Sequence, residues 1–379
     1  MKKAMAAILS AAMLGTLVSC GNSKNESKES ENNSSNAGKT IGIAMPNQNL
    51  DRWNSDGEYL KQKFESAGYK VELTFSSGDA TKQNNDIIGM IDNGVDLLLV
   101  AAVDGSRLSK TLDAAKEKNI PVIAYDRLIM DTNAVTYYIT FDNESVGKMQ
   151  GEYIKNALSL DTTDGPYNIE FIAGDANDNN AKVFFKGEYE ALEEYIESGK
   201  LNILSGKKKF EMVTTLGWST ENAEKHMKNI IKDYYSDGEQ LDAVICANDS
   251  TALGVIQALE SGYNGKAPVI VGQDGDVANL KAIVDGTQAM TVFKNVKDEA
   301  GVAYEVCKTL LDGGIPAADF VKTLPVDVKY DSDAYNNNVK YVQSYILAPQ
   351  LIDEDNLQLL VNAGLYKWDS NNKYLESAT

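Results

Sequence analysis

The chain is 379 residues long and carries 55 acidic against 36 basic residues, a formal charge of -19. A body this acidic repels phosphate backbones, and no basic stripe with interleaved aromatics offsets the charge, which excludes nucleic acid as a partner. The single histidine, His226, lies in a polar helical stretch over 221–232, so imidazole acid–base chemistry and metal binding have almost no material to work with.

Lys2 and Lys3 precede an almost uninterrupted apolar run over 4–16, and Leu17-Val18-Ser19-Cys20 follows. A run this short with these flanks reads as a signal peptide over 1–19 and is too short to span a membrane as a mature helix. A cysteine directly after Leu-Val-Ser matches the bacterial lipoprotein box, in which Cys20 receives diacylglycerol and becomes the new N-terminus. The alternative is an ordinary secretory signal with a chance cysteine. Residues 21–38 are Asn-, Ser-, Glu- and Lys-rich with one aliphatic residue, Ala37, too few to offset the entropy of ordering. Residues 20–38 are therefore expected to be a lipidated cysteine on a disordered tether, reaching on the order of 25 Å. No later stretch approaches the ~18 apolar residues of a membrane helix. The expected location is extracytoplasmic, at the cell membrane, held only by lipid.

From Thr40 onward, apolar runs over 41–45, 71–75, 97–101, 122–125, 136–141, 169–173, 211–214, 243–247, 269–271 and 290–293 predict strands. Helical patterns lie between them: one places Trp53, Leu60, Phe64 and Ala67 on a single stripe ending at Gly68, and another runs over 84–91 and ends at Gly94. Short apolar strands alternating with helices predict an α/β fold with a mostly parallel sheet covered on both faces. So many units exceed one core, so two doubly wound domains are expected. The break is placed after Phe141-Asp142-Asn143, with a second change near Gln273-Asp274-Gly275. Cys246 and Cys307 both sit in apolar runs and are expected as buried thiols; a disulfide between them stays open.

Polar residues gather where these runs stop. Residues 97–103 end at Asp104-Gly105, 122–125 at Asp126-Arg127, 136–141 at Asp142-Asn143, and 243–247 at Asn248-Asp249. Residues 269–272 end at Gln273-Asp274 and 290–293 at Lys294-Asn295; Asp178-Asn179-Asn180 and Gly217-Trp218 follow two further runs, and Asp51-Arg52-Trp53 follows the first. Ligands of open parallel sheets bind outside such strand ends. The residue types suit sugar hydroxyls: carboxylates accept, Arg and Lys donate, Asn and Gln do both, and Trp53 and Trp218 can lie against the C–H faces of a pyranose. The bland reading is helix capping, which fits Asp79, Asp142 and Asp249 taken singly but explains only one side chain of Asp126-Arg127 or Asn248-Asp249. No phosphate loop or dinucleotide fingerprint is present, and the calcium-loop pattern from Asp175 fails because Asn180 stands where glycine is required. No cofactor or metal is expected. Paired carboxylates leave a glycosidase open on residue types alone, although nothing singles out one acid–base pair.

Arg52-Trp53, Ala102-Val103-Asp104-Gly105, Tyr125-Asp126-Arg127-Leu128, Thr140-Phe141-Asp142-Asn143, Asp178-Asn179-Asn180, Leu216-Gly217-Trp218, Gly272-Gln273-Asp274 and Val292-Phe293-Lys294 follow one another in this order. Together they resemble the periplasmic sugar-binding proteins of ABC importers, above all the multiple-monosaccharide-binding type related to xylose-binding proteins, over about 40–366. The resemblance implies a type I periplasmic binding protein: two Rossmann-like lobes joined by a multi-strand hinge, 39–142 with 276–327 as the N-terminal lobe and 143–275 with 328–379 as the C-terminal lobe. It implies a monomer that closes on an aldopentose or aldohexose and docks on an ABC permease or, in some members, a sensor kinase. It does not imply an enzyme. By position, Arg52, Asp104, Asp126, Arg127, Asn143, Asn180, Asn248 or Asp249, Asp274 and Lys294 would bind hydroxyls while Trp53 and Trp218 frame the ring. Gly217 departs from the arginine expected in the nearest relatives. The alternatives are a receptor presenting a polyol-like signal to a sensor kinase and a secreted carbohydrate-active enzyme.

Overall fold

The computed structural model describes residues 38–378. The signal-peptide and lipidation readings over 1–37, Cys20 among them, lie outside the described residues. Within them no helix is long and apolar enough to cross a membrane.

The first half alternates β1 (Thr40–Met45), α1 (Asp51–Ser66), β2 (Lys70–Phe75), α2 (Ala80–Asn93), β3 (Leu97–Val100), α3 (Ser109–Glu117), β4 (Val122–Tyr125) and β5 (Val135–Phe141). β1, β3, β4 and β5 are short and almost wholly buried because helices cover both faces of their sheet, whereas the edge strand β2 is half-buried. Ile41, Ile43 and Leu99 face a core shared with Leu60 and Phe64 of α1, while Ala44, Leu98 and Val100 pack on Ile87, Met90 and Leu112 of α2 and α3. Glycine in the left-handed region stops α2 at Gly94, where φ is 81°. Asp79 starts the same helix by accepting from the backbone of Thr81 and Lys82.

The chain then continues through α4 (Asn143–Ala157), β6 (Tyr167–Ile172), α5 (Asn179–Glu197), β7 (Leu201–Asn202), α6 (Phe210–Val213), α7 (Thr220–Tyr234), β8 (Ala243–Cys246), α8 (Asp249–Gly262), β9 (Val269–Gln273), α9 (Val277–Val284) and β10 (Met290–Phe293). It closes with α10 (Val296–Leu311), β11 (Val328–Asp331), β12 (Ser344–Leu347), β13 (Gln350–Asp353), α11 (Gln358–Asn362) and the hairpin β14 (Tyr366–Trp368) to β15 (Leu375–Ser377).

Two sheets result. The first has the order β11-β12-β5-β4-β3-β1-β2 and the second β13-β10-β9-β8-β6-β7. Each is parallel except for one antiparallel edge strand, β11 or β13. Each therefore repeats one doubly wound order, 2-1-3-4-5 in its own lobe, with its own core.

Several sequence expectations need correcting. The chain does not return to the first lobe after Gly275, because α9 and β10 still belong to the second sheet. The return falls between Phe293 and Val296, and α10 buries Ala300, Val302 and Val306 against α1. Nor does it leave again at 327. β12 pairs in parallel with β5, Ser344 opposite Tyr138, and the last crossing lies between Leu347 and Gln350. Strand-end polar residues mark the rim of a sheet and carry no information about which sheet comes next. The strand expected over 211–214 is instead the short helix α6, after which Thr215 bonds back to Gly174 at 3.0 Å. His226, although its helical stretch is polar, is half-buried, with Lys207 Nζ at 2.8 Å. Burial, then Lys207, lowers its pKa to about 4, so it is neutral at pH 7. Cys246 and Cys307 are free and buried.

Candidate functional site

The carboxyl ends of the two sheets face each other across a cleft lined by Arg52, Trp53, Asp126 and Arg127 from the first lobe and by Asp178, Asn180, Phe184, Trp218, Asn248, Gln273, Asp274 and Lys294 from the second. The free space among these side chains is ≈ 30 Å³, room for little more than water.

Arg52 enters from the first turn of α1, which puts its guanidinium at the mouth of the first sheet. It is ion-paired to Asp56 at 3.0 Å and Asp126 at 2.8 Å within its own lobe, to Glu299 of α10 at 2.6 Å, and across the cleft to Asp274 at 3.5 Å. Burial opposes its charge, and the four carboxylates more than compensate, so the group stays fully protonated.

Asp126 follows β4 in the left-handed region, φ 56°, a conformation that Asp tolerates better than most residues. Three donors hold its carbonyl there: Tyr138 Oη at 2.7 Å, Thr140 Oγ1 at 3.0 Å and, from the opposite lobe, Asn180 Nδ2 at 2.7 Å. Its carboxylate is thereby aimed between Arg52 and Lys294, the latter at 3.3 Å. Burial would raise its pKa, but Arg52, Lys294 and Arg127 outweigh burial and hold it at about 2.

Arg127 crosses the cleft to Asp178 at 2.8 Å, donates to the Ala102 carbonyl at 2.9 Å, and lies over Trp53 with 4.9 Å from guanidinium to ring. On the second lobe Lys294 sits over Phe184 at 5.5 Å and faces Asp274 at 3.7 Å. Trp218 follows Gly217 through two consecutive positive φ values, 68° and 56°, a turn that swings the indole into the cleft. Glycine fits the first of these positions. The indole N–H and Gln273 Oε1 are buried without hydrogen-bond partners, so the cleft wall retains donor and acceptor capacity.

The pair Asn248-Asp249 divides its labour. Asn248 caps α8 in a reciprocal box with Thr251 and still reaches Asp274 at 3.3 Å on the cleft side. Asp249 is fully buried behind the cleft, where it accepts from the backbone of Gly275 and Asp276, each at 2.9 Å, from Thr291 at 3.0 Å and from Gln288 at 2.9 Å. It organises the turn in which Asp274 adopts φ 105°. Burial drives its carboxyl up to about 7, against those donors. Two other expected residues also stand outside the cleft lining. Asp104 caps a single 3-10 turn through Ser106 at 2.9 Å, and Asn143 is buried at the start of α4, donating to Thr140 at 3.2 Å. Asp142 acts as the N-cap of α4, as capping logic has it.

Sequence reasoning missed Asp56, Glu299 and Phe184 as parts of this site, and named Gln273 and Asp178 only as strand-end neighbours of Asp274 and Asn180. Asp56 is one helical turn from Arg52, an i,i+4 spacing that was readable. Glu299 and Phe184 carry no local signal, since they reach the site only through the packing of α10 and α5. Among the described residues no cluster fit for a metal ion exists.

Comparison with known proteins agrees with this geometry. Residues 41–315 match the periplasmic binding protein domain. The chain is 37% identical over 335 residues to the multiple sugar-binding periplasmic receptor ChvE of Rhizobium radiobacter, covering 87% of this chain and 91% of that one. It is 35% identical over 329 residues to the D-xylose-binding periplasmic protein of Escherichia coli K12, covering 86% and 91%. Among solved structures, an ABC transporter solute binding protein from Clostridium phytofermentans with bound β-D-glucose superposes with a TM-score of 0.82 at 44% identity, covering 88% of this chain and 99% of that one. With two doubly wound lobes, a charged and aromatic cleft between their strand ends, and these relatives over most of its length, the chain belongs to the periplasmic binding protein family and to the sugar-binding solute receptors within it, and its work is binding rather than catalysis.

Proposed function

We propose that the chain binds a monosaccharide, an aldopentose or aldohexose, in the interlobe cleft, and that as an exported lipoprotein anchored through Cys20 it delivers the sugar to an ABC permease. The observation that carries the reading is the convergence of Arg52, Asp126, Arg127, Asn180, Asn248, Asp274 and Lys294 with Trp53 and Trp218 on one cleft. Each cation there is already matched by a carboxylate. A neutral, hydroxyl-rich ligand therefore meets charge-assisted donors and acceptors without bringing a charge of its own, which a sugar does and an anion or amine does not. Closure without ligand leaves these groups paired to each other, so a sugar enters by exchanging the cross-cleft pairs for hydroxyls as the lobes part and re-close.

The glucose-bound relative at 44% identity and the xylose-binding relative at 35% direct the first assay to D-glucose and D-xylose, with D-galactose and L-arabinose beside them. Isothermal titration calorimetry with the mature protein is expected to give a dissociation constant near micromolar for at least one of them, about 8 kcal/mol of binding. Thermal shift is expected to rise with the same sugar. Absence of binding to every monosaccharide in a broad panel overturns the reading, and turnover of any sugar or glycoside overturns its non-catalytic part. Replacing Cys20 with Ser is expected to release the protein from the membrane fraction.

A further inference from the structure

Arg52 and Lys294 are two cations set among four carboxylates, Asp56, Asp126, Asp274 and Glu299. Were all four ionised, this buried cluster would carry a net charge of two minus, which the interior does not tolerate without further compensation. The carboxylates differ in how well they are served. Both oxygens of Asp56 accept, from Tyr125 at 2.7 Å and Arg52 at 3.0 Å. Asp126 receives both Arg52 and Lys294; Asp274 accepts from Asn248 on Oδ2, and its Oδ1, though without a hydrogen bond, faces the two cations Arg52 and Lys294 at 3.5 and 3.7 Å. Glu299 is fully buried and has Arg52 at 2.6 Å on Oε2, but its Oε1 has no hydrogen-bond partner. A proton placed on Oε1 relieves the charge excess and loses no existing bond.

We propose that Glu299 is a proton-carrying positioning residue: its neutral carboxyl holds Arg52 at the cleft, and its ionisation draws Arg52 back from the ligand, so that sugar binding takes up a proton from solvent. The groups facing it are Arg52 and Asp56 from α1, Tyr125 and Asp126 from the end of β4, and Lys294 from the end of β10; Asp298 on its own helix is occupied by Asn295 at 2.8 Å. Burial and Asp126 raise the Glu299 pKa and Asp56 adds to them, with Arg52 and Lys294 opposing. Closure adds to the burial and brings Asp274 of the second lobe against Arg52, which shifts the balance further toward the protonated form. The inference rests on the monosaccharide reading of the cleft.

The test is calorimetric titration of the wild-type protein with its sugar from about pH 5 to about pH 9, in pairs of buffers with different ionisation enthalpies, alongside Glu299→Gln and Asp56→Asn. Affinity of the wild type is expected to fall with rising pH by up to about tenfold per unit once Glu299 ionises, with uptake approaching about one proton per sugar. Glu299→Gln, which cannot ionise, is expected to flatten the profile and abolish the proton uptake, whereas Asp56→Asn, which removes one of the charges that raise the Glu299 pKa, is expected to keep the slope and the uptake but move them to lower pH. A pH-independent wild-type affinity overturns the coupling, as does a sloping profile that survives in Glu299→Gln or is flattened by Asp56→Asn instead. If Glu299→Gln does not fold, the proton count of the wild type decides. Binding with a flat profile overturns the coupling alone; no binding at any pH overturns the reading of the cleft and the coupling with it.

Discussion

Replacing Arg127 with Ala is the most informative single perturbation of the cleft. The guanidinium performs three tasks: it pairs with Asp178 of the opposite lobe at 2.8 Å, donates to the Ala102 carbonyl at 2.9 Å, and covers Trp53 at 4.9 Å. Truncation removes a charge-assisted donor worth about 1.5–3 kcal/mol to a ligand hydroxyl. It also leaves Asp178 buried without its cation, and burial already raises the pKa of that carboxyl while Arg127 opposes the shift. At about 1.4 kcal/mol per decade, the affinity loss is expected to be at least about tenfold and up to about a hundredfold. Each lobe has its own apolar core, and Arg127 is in neither, so the melting temperature of the sugar-free protein is expected to move far less than the affinity. Calorimetry and thermal unfolding on the same preparation separate the two effects. An affinity within twofold of wild type in a folded variant refutes the placement of the ligand between Arg127 and the second lobe.

Asn248→Ala and Asp249→Ala are expected to diverge. The first weakens sugar binding and costs about 1 kcal/mol of stability through the lost helix cap, while the second removes a buried acceptor shared by four donors, destabilises by about 3 kcal/mol in urea unfolding, and reaches the sugar only through Asp274. Gly174→Ala places a methyl group in the six-membered ring of Trp218, so the indole must leave its position in the cleft. Sugar affinity should drop severalfold, with overpacking of about 1–3 kcal/mol visible in the melting temperature. Glu188 is buried with neither carboxyl oxygen bonded, and burial raises its pKa to about 8. The folded state holds a proton that the unfolded chain releases above its ordinary value of 4.5, so this contribution is greatest below that value and is lost as the pH rises toward about 8. Glu188→Gln is expected to remove that slope between about pH 5 and about pH 8 in urea titrations, and an unchanged slope refutes the assignment.

The parts of this molecule that were legible in the sequence are those written in local patterns. Buried parallel strands are short apolar runs because both faces are covered, and the polar residues that stop them are where a sheet meets its ligand. Arg52, Asp126, Arg127, Asn180, Trp218, Asp274 and Lys294 were all expected on that basis, and all of them line the cleft. Asp104 obeys the same pattern yet only caps a turn, since a strand end beside the cleft and one facing it look alike in one dimension. β11 was missed because Lys329 and Asp331 interrupt its apolar residues, and β12 because its apolar run is short and the strand is defined by pairing with β5 about two hundred residues earlier. Glu299 was invisible for a related reason. It lies on a helix with acidic residues in its first turn, an ordinary sight at a helix N-terminus. Only the return of α10 onto α1 turns it inward to Arg52.

That return also explains how the cleft can be both highly charged and suited to a neutral ligand. Every crossing between the lobes leaves or enters at the ligand end of a strand: β5 leads into Asn143, β10 into Lys294 and β12 into β13. Bending the hinge therefore moves charged groups of one lobe against those of the other with little disturbance of either core. The cross-cleft pairs Arg52–Asp274, Lys294–Asp126 and Arg127–Asp178 depend on that movement, whereas Arg52–Asp56, Arg52–Asp126 and Arg52–Glu299 lie within one lobe and survive it. Ligand hydroxyls compete only for the first set. The second set confines the most heavily shared cation to its lobe before any sugar arrives, and only the shift governed by the Glu299 proton is left to binding, so most of the ordering of Arg52 is borne by folding, which is how a small neutral ring can be held tightly by a few hydrogen bonds.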